Sequence, residues 1–142
     1  MKKHVKKPWG YEDIWAICDH YAAKILFIEK GSRLSRQYHT VKEETILVIN
    51  GSLLLEIGEN KDKESLHLEV GDSYHITPGT IHRFCADKDD VKLVEVSTVQ
   101  LDDVVRISDD FGRETKAIDE SISDCVEEYE EEIELHKTYG GD

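Results

Sequence analysis

The chain has 142 residues, with 31 Asp and Glu against 18 Lys and Arg and a formal net charge of -13. That length forms one domain able to bury a core of its own without covalent staples. The acidic balance argues against a nucleic-acid backbone or an anionic membrane surface as the main partner.

The charge is uneven. Residues 114–142 carry eleven acidic side chains against two lysines (2 - 11 = -9), which leaves about -4 on the preceding 113. An anionic small molecule therefore stays open as a ligand if cations converge locally. The N-terminus, Met1 to Trp9, is basic but lacks an apolar stretch, so no secretory signal is expected. No apolar run approaches the roughly 18–20 residues of a membrane span. Cys18, Cys85 and Cys125 are odd in number and widely spaced, which fits free thiols in a reducing compartment, the cytoplasm.

Short β-rich segments follow one another from residue 22 to 99. They are Lys24–Glu29, Thr45–Ile49, Leu53–Ile57, Leu66–Val70, Ser73–Ile76, His82–Cys85 and Val91–Ser97. Lys30-Gly31, Asn50-Gly51, residues 59–62, Gly71-Asp72, Pro78-Gly79 and residues 87–90 punctuate them as turns, with Asn50-Gly51 predicted as a hairpin. Strands this short and regular predict an all-β sandwich or barrel. Leu66, Leu68 and Val70 alternate with polar residues, so one face is wet; Thr45–Ile49 does not alternate and is predicted buried on both faces. Beyond the barrel, Ile118, Ile122, Val126, Tyr129 and Ile133 recur at helical spacing. Like-charged glutamates four apart oppose a helix there, so residues 115–142 read as a C-terminal acidic helix or a solvated acidic tail.

Two stretches carry the chemistry. Gln37 and His39 are two apart and share a strand face. Glu44 follows a short polar turn, and His82 follows the Pro78-Gly79 turn about forty residues on. Two imidazoles, a carboxylate and an amide oxygen suit a divalent metal ion with mixed N and O ligands: Zn, Mn, Fe, Co or Ni. His67 and His75 read as packed or surface residues, and His4, His20 and His136 as bystanders.

Gly31, Gln37, His39, Glu44 and Gly51 follow the spacing of the first signature of the cupin superfamily, with Gln in place of its first His. Gly71, Gly79 and His82 follow the second, with Thr77 where Pro is usual. The chain thus resembles a cupin, a double-stranded β-helix or jelly-roll barrel. Lys7 to Glu12, Gln37-Tyr38-His39, Gly79 to Arg83, Glu95-Val96 and Asp109 to Arg113 look like the type II mannose-6-phosphate isomerase cupins. That resemblance covers residues 6 to about 114, so the domain is expected over 1–114. Such cupins are often fused to a guanylyltransferase domain; no such segment is visible, and guanylyl transfer is not expected of this chain.

The resemblance implies Zn in the metal site and aldose–ketose isomerisation of mannose 6-phosphate to fructose 6-phosphate through an enediol. This chemistry needs a Lewis acid and a proton carrier. Glu95, in a mostly apolar strand, either faces the cavity as that base or lies on a wet face. Arg113 matches the family's functional arginine and would bind substrate phosphate. Arg33 shares parity with Gln37 and His39 if the strand is unbroken and would line the same cavity; Arg36 and Arg83 fall off parity and are predicted at the surface. Thr40, Val41, Thr45 and Ile46 depart from the family's usual residues and are expected to alter a pocket wall. Trp9 and Tyr11 pack either across a partner's sheet or into the core. An exposed sheet edge predicts a homodimer. Two other readings compete with the isomerase: a metal cupin of other chemistry, such as a sugar-nucleotide isomerase or oxygenase, and a non-catalytic sugar-binding cupin.

Overall fold

The structure is a computed structural model and describes residues 3–59 and 63–115. Residues 1–2, residues 60–62 and residues 116–142, on which the expected acidic helix or tail, Cys125 and His136 fall, lie outside the described residues. The described chain forms two antiparallel sheets and no helix. The first sheet has the order β1 (Lys3–Lys7), β2 (Gly10–Ile17), β3 (Ala22–Ile28), β10 (Val91–Ser97), β5 (Glu44–Asn50), β8 (Ser73–Ile76). The second has the order β11 (Val105–Ser108), β4 (Arg36–Tyr38), β9 (His82–Cys85), β6 (Leu53–Ile57), β7 (Glu64–Leu68). Sequence-adjacent strands repeatedly fall in opposite sheets, as β3 and β4 or β5 and β6 do. That is the cupin jelly roll.

Period-two alternation explains the core. Val91, Leu93, Glu95 and Ser97 of β10 are buried, as are Glu44, Ile46 and Val48 of β5. Ile46, Leu53, Leu55 and Leu93 are fully buried, each contributing about 1.5–3 kcal/mol relative to exposure. Charged residues take the inward positions toward one side of this core, and that asymmetry makes the cavity.

Three expectations need correction. Thr45–Ile49 is buried on one face only: Leu47 and Ile49 point outward and are 38% and 39% exposed. The run lacks alternation because both of its faces are apolar. Asn50-Gly51 is a tight turn but not a hairpin, because it carries the chain from β5 in one sheet to β6 in the other. Gly51 has a φ of 78°, and a Cβ there would lie 2.2 Å from the Asp90 carbonyl oxygen. Close backbone approach, rather than hairpin twist, requires the glycine. The seventh strand runs Glu64–Leu68, so Val70 sits in the following turn, 62% exposed.

Candidate functional site

Ladder register assembles one wall of the cavity. Arg106 of β11 pairs with Gln37 of β4, and Gln37 pairs with His82 of β9. Residues directly opposite in neighbouring strands share a face, so guanidinium, amide and imidazole line up across the second sheet. The facing sheet supplies carboxylates and ammoniums. Glu95 of β10 pairs with Lys24 of β3, and Glu12 of β2 lies 3.3 Å from the Lys24 Nζ. The loop after β4 brings in His39 and Lys42.

His39, Glu44 and His82 converge, with one ligand-type atom from each within 4.8 Å of the others. All three are at least 97% buried. The His39 Nδ1 lies 2.6 Å from the Asp103 carbonyl oxygen and the His82 Nδ1 lies 2.9 Å from that of Thr80. A carbonyl only accepts, so each Nδ1 carries the proton and each neutral ring turns its Nε2 lone pair inward. Those Nε2 atoms sit 3.6 and 3.4 Å from the Glu44 Oε1. Among the described residues, neither Nε2 nor either Glu44 oxygen has a hydrogen-bond partner. Buried lone pairs that face one another unpaired are costly. A cation held among them removes the penalty, and backbone carbonyls that fix the outer ring nitrogens are the usual support of metal-binding histidines. The donor set therefore fits a divalent ion.

The Asp103 carboxylate accepts from the backbone N–H groups of Thr40, Val41 and Lys42, holding the His39 loop in place. Burial opposes its charge, but these hydrogen bonds keep the Asp103 carboxyl well below the usual range. Gln37 lines the same cavity. Its Oε1 accepts from the Ser35 hydroxyl at 2.5 Å, which leaves a second lone pair on that oxygen.

Glu95 takes the inward of its two orientations and is 5% exposed. Burial, with Glu44 beside it, pushes its carboxyl up to about 7. Lys42 Nζ lies 3.4 Å from both Glu95 Oε2 and Glu44 Oε2. Burial works against the Lys42 charge, but Glu95 and Glu44 raise its pKa. Burial likewise opposes the charge on Glu44, yet the Lys42 ammonium holds that carboxyl well below the usual range. Two carboxylates a single ammonium apart are thus driven in opposite directions, one ionised and one poised to exchange a proton.

The cavity is open to solvent, and the empty space in it and its mouth together is about 630 Å³. Lys7, Lys24, Lys42, Arg106 and Arg113 line it against Glu12 and Glu95, a lining charge of 5 - 2 = +3. Arg113 is braced by Asp109, to which its Nε donates at 2.9 Å. In a chain of net charge -13, this concentrates positive potential where a ligand enters.

The other sequence expectations sort clearly. Arg33 does not line the cavity; it pairs with Asp110 at 2.7 Å on the surface. The strand is broken between an isolated bridge at Arg33 and the start of β4, so parity does not carry across and Leu34 faces inward instead. Arg36 and Arg83, expected at the surface, are 1% and 3% exposed. Arg36 pairs with Glu56 and donates to the Gly58 carbonyl, while Arg83 donates to the Leu34 carbonyl. Trp9 is a core residue at the cavity wall, and Tyr11 stacks on Phe27. Thr40 and Val41 are exposed, Thr45 lies on the outer face of β5 and Ile46 is in the core. None of these four lines the cavity, so the departures from the family pattern leave its wall intact. Sequence reading missed Glu12, Lys24, Lys42 and Arg106. A lone charge in an apolar strand, the signal that singled out Glu95, also marks Lys24 in β3 and Arg106 in β11.

A β-barrel with an inward His-Glu-His cluster that could hold a metal ion, in a basic cavity, has the architecture of a cupin. The family model described as mannose-6-phosphate isomerase C-terminal matches residues 1–109. The chain belongs to that family. It is 31% identical over 121 residues to mannose-1-phosphate guanylyltransferase ManC of Salmonella typhimurium, a match covering 80% of this chain and 24% of the relative. The xanthan biosynthesis protein XanB of Xanthomonas campestris is 31% identical over 115 residues, covering 78% and 24%. The chain therefore spans about a quarter of the length of these relatives. Among solved structures, oxalate decarboxylase from Bacillus subtilis superposes with a TM-score of 0.65 at 15% identity, over 75% of this chain and 30% of that one. Among the described residues no helix is long and apolar enough to cross a membrane.

Proposed function

We propose that the barrel is a metal-dependent sugar-phosphate isomerase that interconverts mannose 6-phosphate and fructose 6-phosphate. The single observation that carries this reading is Glu95, a buried carboxyl raised to about 7 beside a cluster of orphaned metal-type donors in a basic cavity. Isomerisation moves one proton between C1 and C2, and a carboxylate near half-protonation at neutral pH suits both directions. Glu95 takes the proton from one carbon and returns it to the other. Lys42 holds Glu95 in place, Arg106 and Arg113 receive the phosphate, and Trp9 with Leu34 excludes water. His39, Glu44 and His82, with Gln37 as a fourth donor, would hold the metal, which supplies Lewis acidity toward the sugar's carbonyl and hydroxyl oxygens. The family favours Zn; the donor set also admits Mn, Fe, Co or Ni. The membership of the family, rather than the fold, is what points to a sugar phosphate.

The test is a coupled assay of the purified protein with mannose 6-phosphate and each metal in turn. Turnover that a chelator abolishes supports the reading, and none above the chelated control overturns it. Sugar-phosphate binding by calorimetry without turnover would select the non-catalytic alternative, and iron-dependent oxygen consumption the redox one.

A further inference from the structure

The cations of the cavity differ in what already holds them. Lys24 lies 3.3 Å from Glu12, Lys42 lies 3.4 Å from both Glu44 and Glu95, and Arg113 donates to both oxygens of Asp109. Lys7 lines the same cavity. Among the described residues its ammonium makes no hydrogen bond and no ion pair. A half-buried ammonium without a counterion keeps its charge for whatever anion enters, and a hydrogen bond to that charge is among the strong ones.

The hairpin that carries Lys7 is fixed in place. Along β1, Lys3, Val5 and Lys7 are half-buried while His4 and Lys6 are exposed, so Lys7 belongs to the inward row. Pro8 and Trp9 form a two-residue turn, across which Lys7 pairs with Gly10. Proline suits the first position of such a turn. Trp9 is buried in the core, and its carbonyl accepts from the Glu29 N–H at 2.9 Å. A Cβ at Gly10 would lie 1.9 Å from the Phe27 carbonyl oxygen, so the turn sits close against β3. The backbone under Lys7 is thus set before any ligand arrives. Register also sets Lys7 apart from the chemistry: Glu95 is three strands across and four residues along. A ligand that reaches both must carry its anionic group and its reacting carbons at opposite ends. We propose that Lys7 seats the terminal phosphate of the ligand, beside Arg106 and Arg113, and so selects sugars phosphorylated at the carbon farthest from the reaction. This rests on the reading of the cavity as a sugar-phosphate site.

Titration calorimetry on the full, metal-loaded chain tests it, with mannose 6-phosphate and with inorganic phosphate as a probe that does not depend on the sugar. The variants are Lys7→Gln, Lys7→Arg and, as a control for net charge, Lys6→Gln on the exposed side of the same strand. Losing one hydrogen bond to a charged group should weaken binding by Lys7→Gln about 10–100-fold. Lys7→Arg should recover most of that loss, and Lys6→Gln should bind as the parent does. If Lys7→Gln fails to fold, Lys7→Met, which keeps the aliphatic stem, decides. A parent that binds neither ligand overturns the proposal. So does a Lys7→Gln variant that binds both ligands no more weakly than Lys6→Gln. Binding that depends on Lys7 in a protein without turnover supports the phosphate seat and overturns the isomerase alone. Turnover with binding indifferent to Lys7 does the reverse.

Discussion

Two buried clusters of charge in this barrel look alike by burial and differ in how their atoms are used. In one, Glu56 accepts from Arg36 and from Lys63, Arg36 also donates to the Gly58 carbonyl, and Arg83 donates to the Leu34 carbonyl and to Asp110. Donors meet acceptors, with only the Arg36 Nε left over. In the other, His39, Glu44 and His82 set acceptor against acceptor; among the described residues their two Nε2 atoms and the two Glu44 oxygens make no hydrogen bond, and only the Lys42 ammonium lies 3.4 Å from one of those oxygens. The first arrangement is complete as it stands and ties loops to strands. The second lacks donors for its acceptors, and a bound cation would supply what is missing. Burial of charge therefore does not identify a site here; the direction of the lone pairs does.

Breaking the second cluster is expected to give the largest effect. His39→Ala with His82→Ala removes two donors. Loss of a supporting residue alone typically weakens metal binding by about 10–100-fold, so this pair should lower affinity by more than about 100-fold and bring bound metal to background. Metal content by mass spectrometry equal to the parent's would sink the assignment. Next comes Glu95→Gln, which keeps the shape and removes the proton carrier. Turnover should fall about 10²–10⁴-fold with metal content retained. An unchanged rate would move the base elsewhere in the cavity.

Breaking the first cluster should act on stability alone. Glu56→Ala leaves the buried Arg36 with the Gly58 carbonyl but no carboxylate, and removing one partner of a buried pair typically destabilises by about 3–5 kcal/mol. Urea unfolding should show the loss while the remaining folded protein still binds metal. A variant as stable as the parent but metal-free would reverse the roles assigned to the two clusters.

The sequence carries these clusters unequally. The metal-type donors were readable because strand parity and two Gly-to-His stretches are local patterns, and Glu95 because a carboxylate interrupts an apolar run. Arg36 and Arg83 were misread for the same reason that Arg33 was. Parity holds only within an unbroken strand, and the break between Arg33 and Arg36 depends on pairing with β9, fifty residues away. The row Arg106–Gln37–His82 likewise exists only through register between distant strands, which no local pattern encodes. β11 went unread because only its pairing with the distant β4 makes a strand of it.

The smallest effect separates the cavity's own ion pair from both clusters. Burial alone would raise the Glu12 carboxyl, but Lys24 beside it, with Lys7 and Lys42 nearby, lowers it from 4.5 to about 2. A carboxyl depressed on folding adds stability that is present above its unfolded pKa and is lost as the pH falls through its folded one. The window is therefore pH 4.5 down to about 2, and the full swing is about 3 kcal/mol at most, from a shift of roughly 2.5 units at about 1.4 kcal/mol each. Metal release would also follow acid, so the measurement belongs on chelated protein, as urea midpoints at successive pH values. Glu12→Gln should be less stable than the parent at neutral pH and should approach it near pH 2. A constant difference between the two across that window would mean that Glu12 contributes through packing, and that Lys24 draws its stabilisation from Glu95, directly opposite it in the sheet.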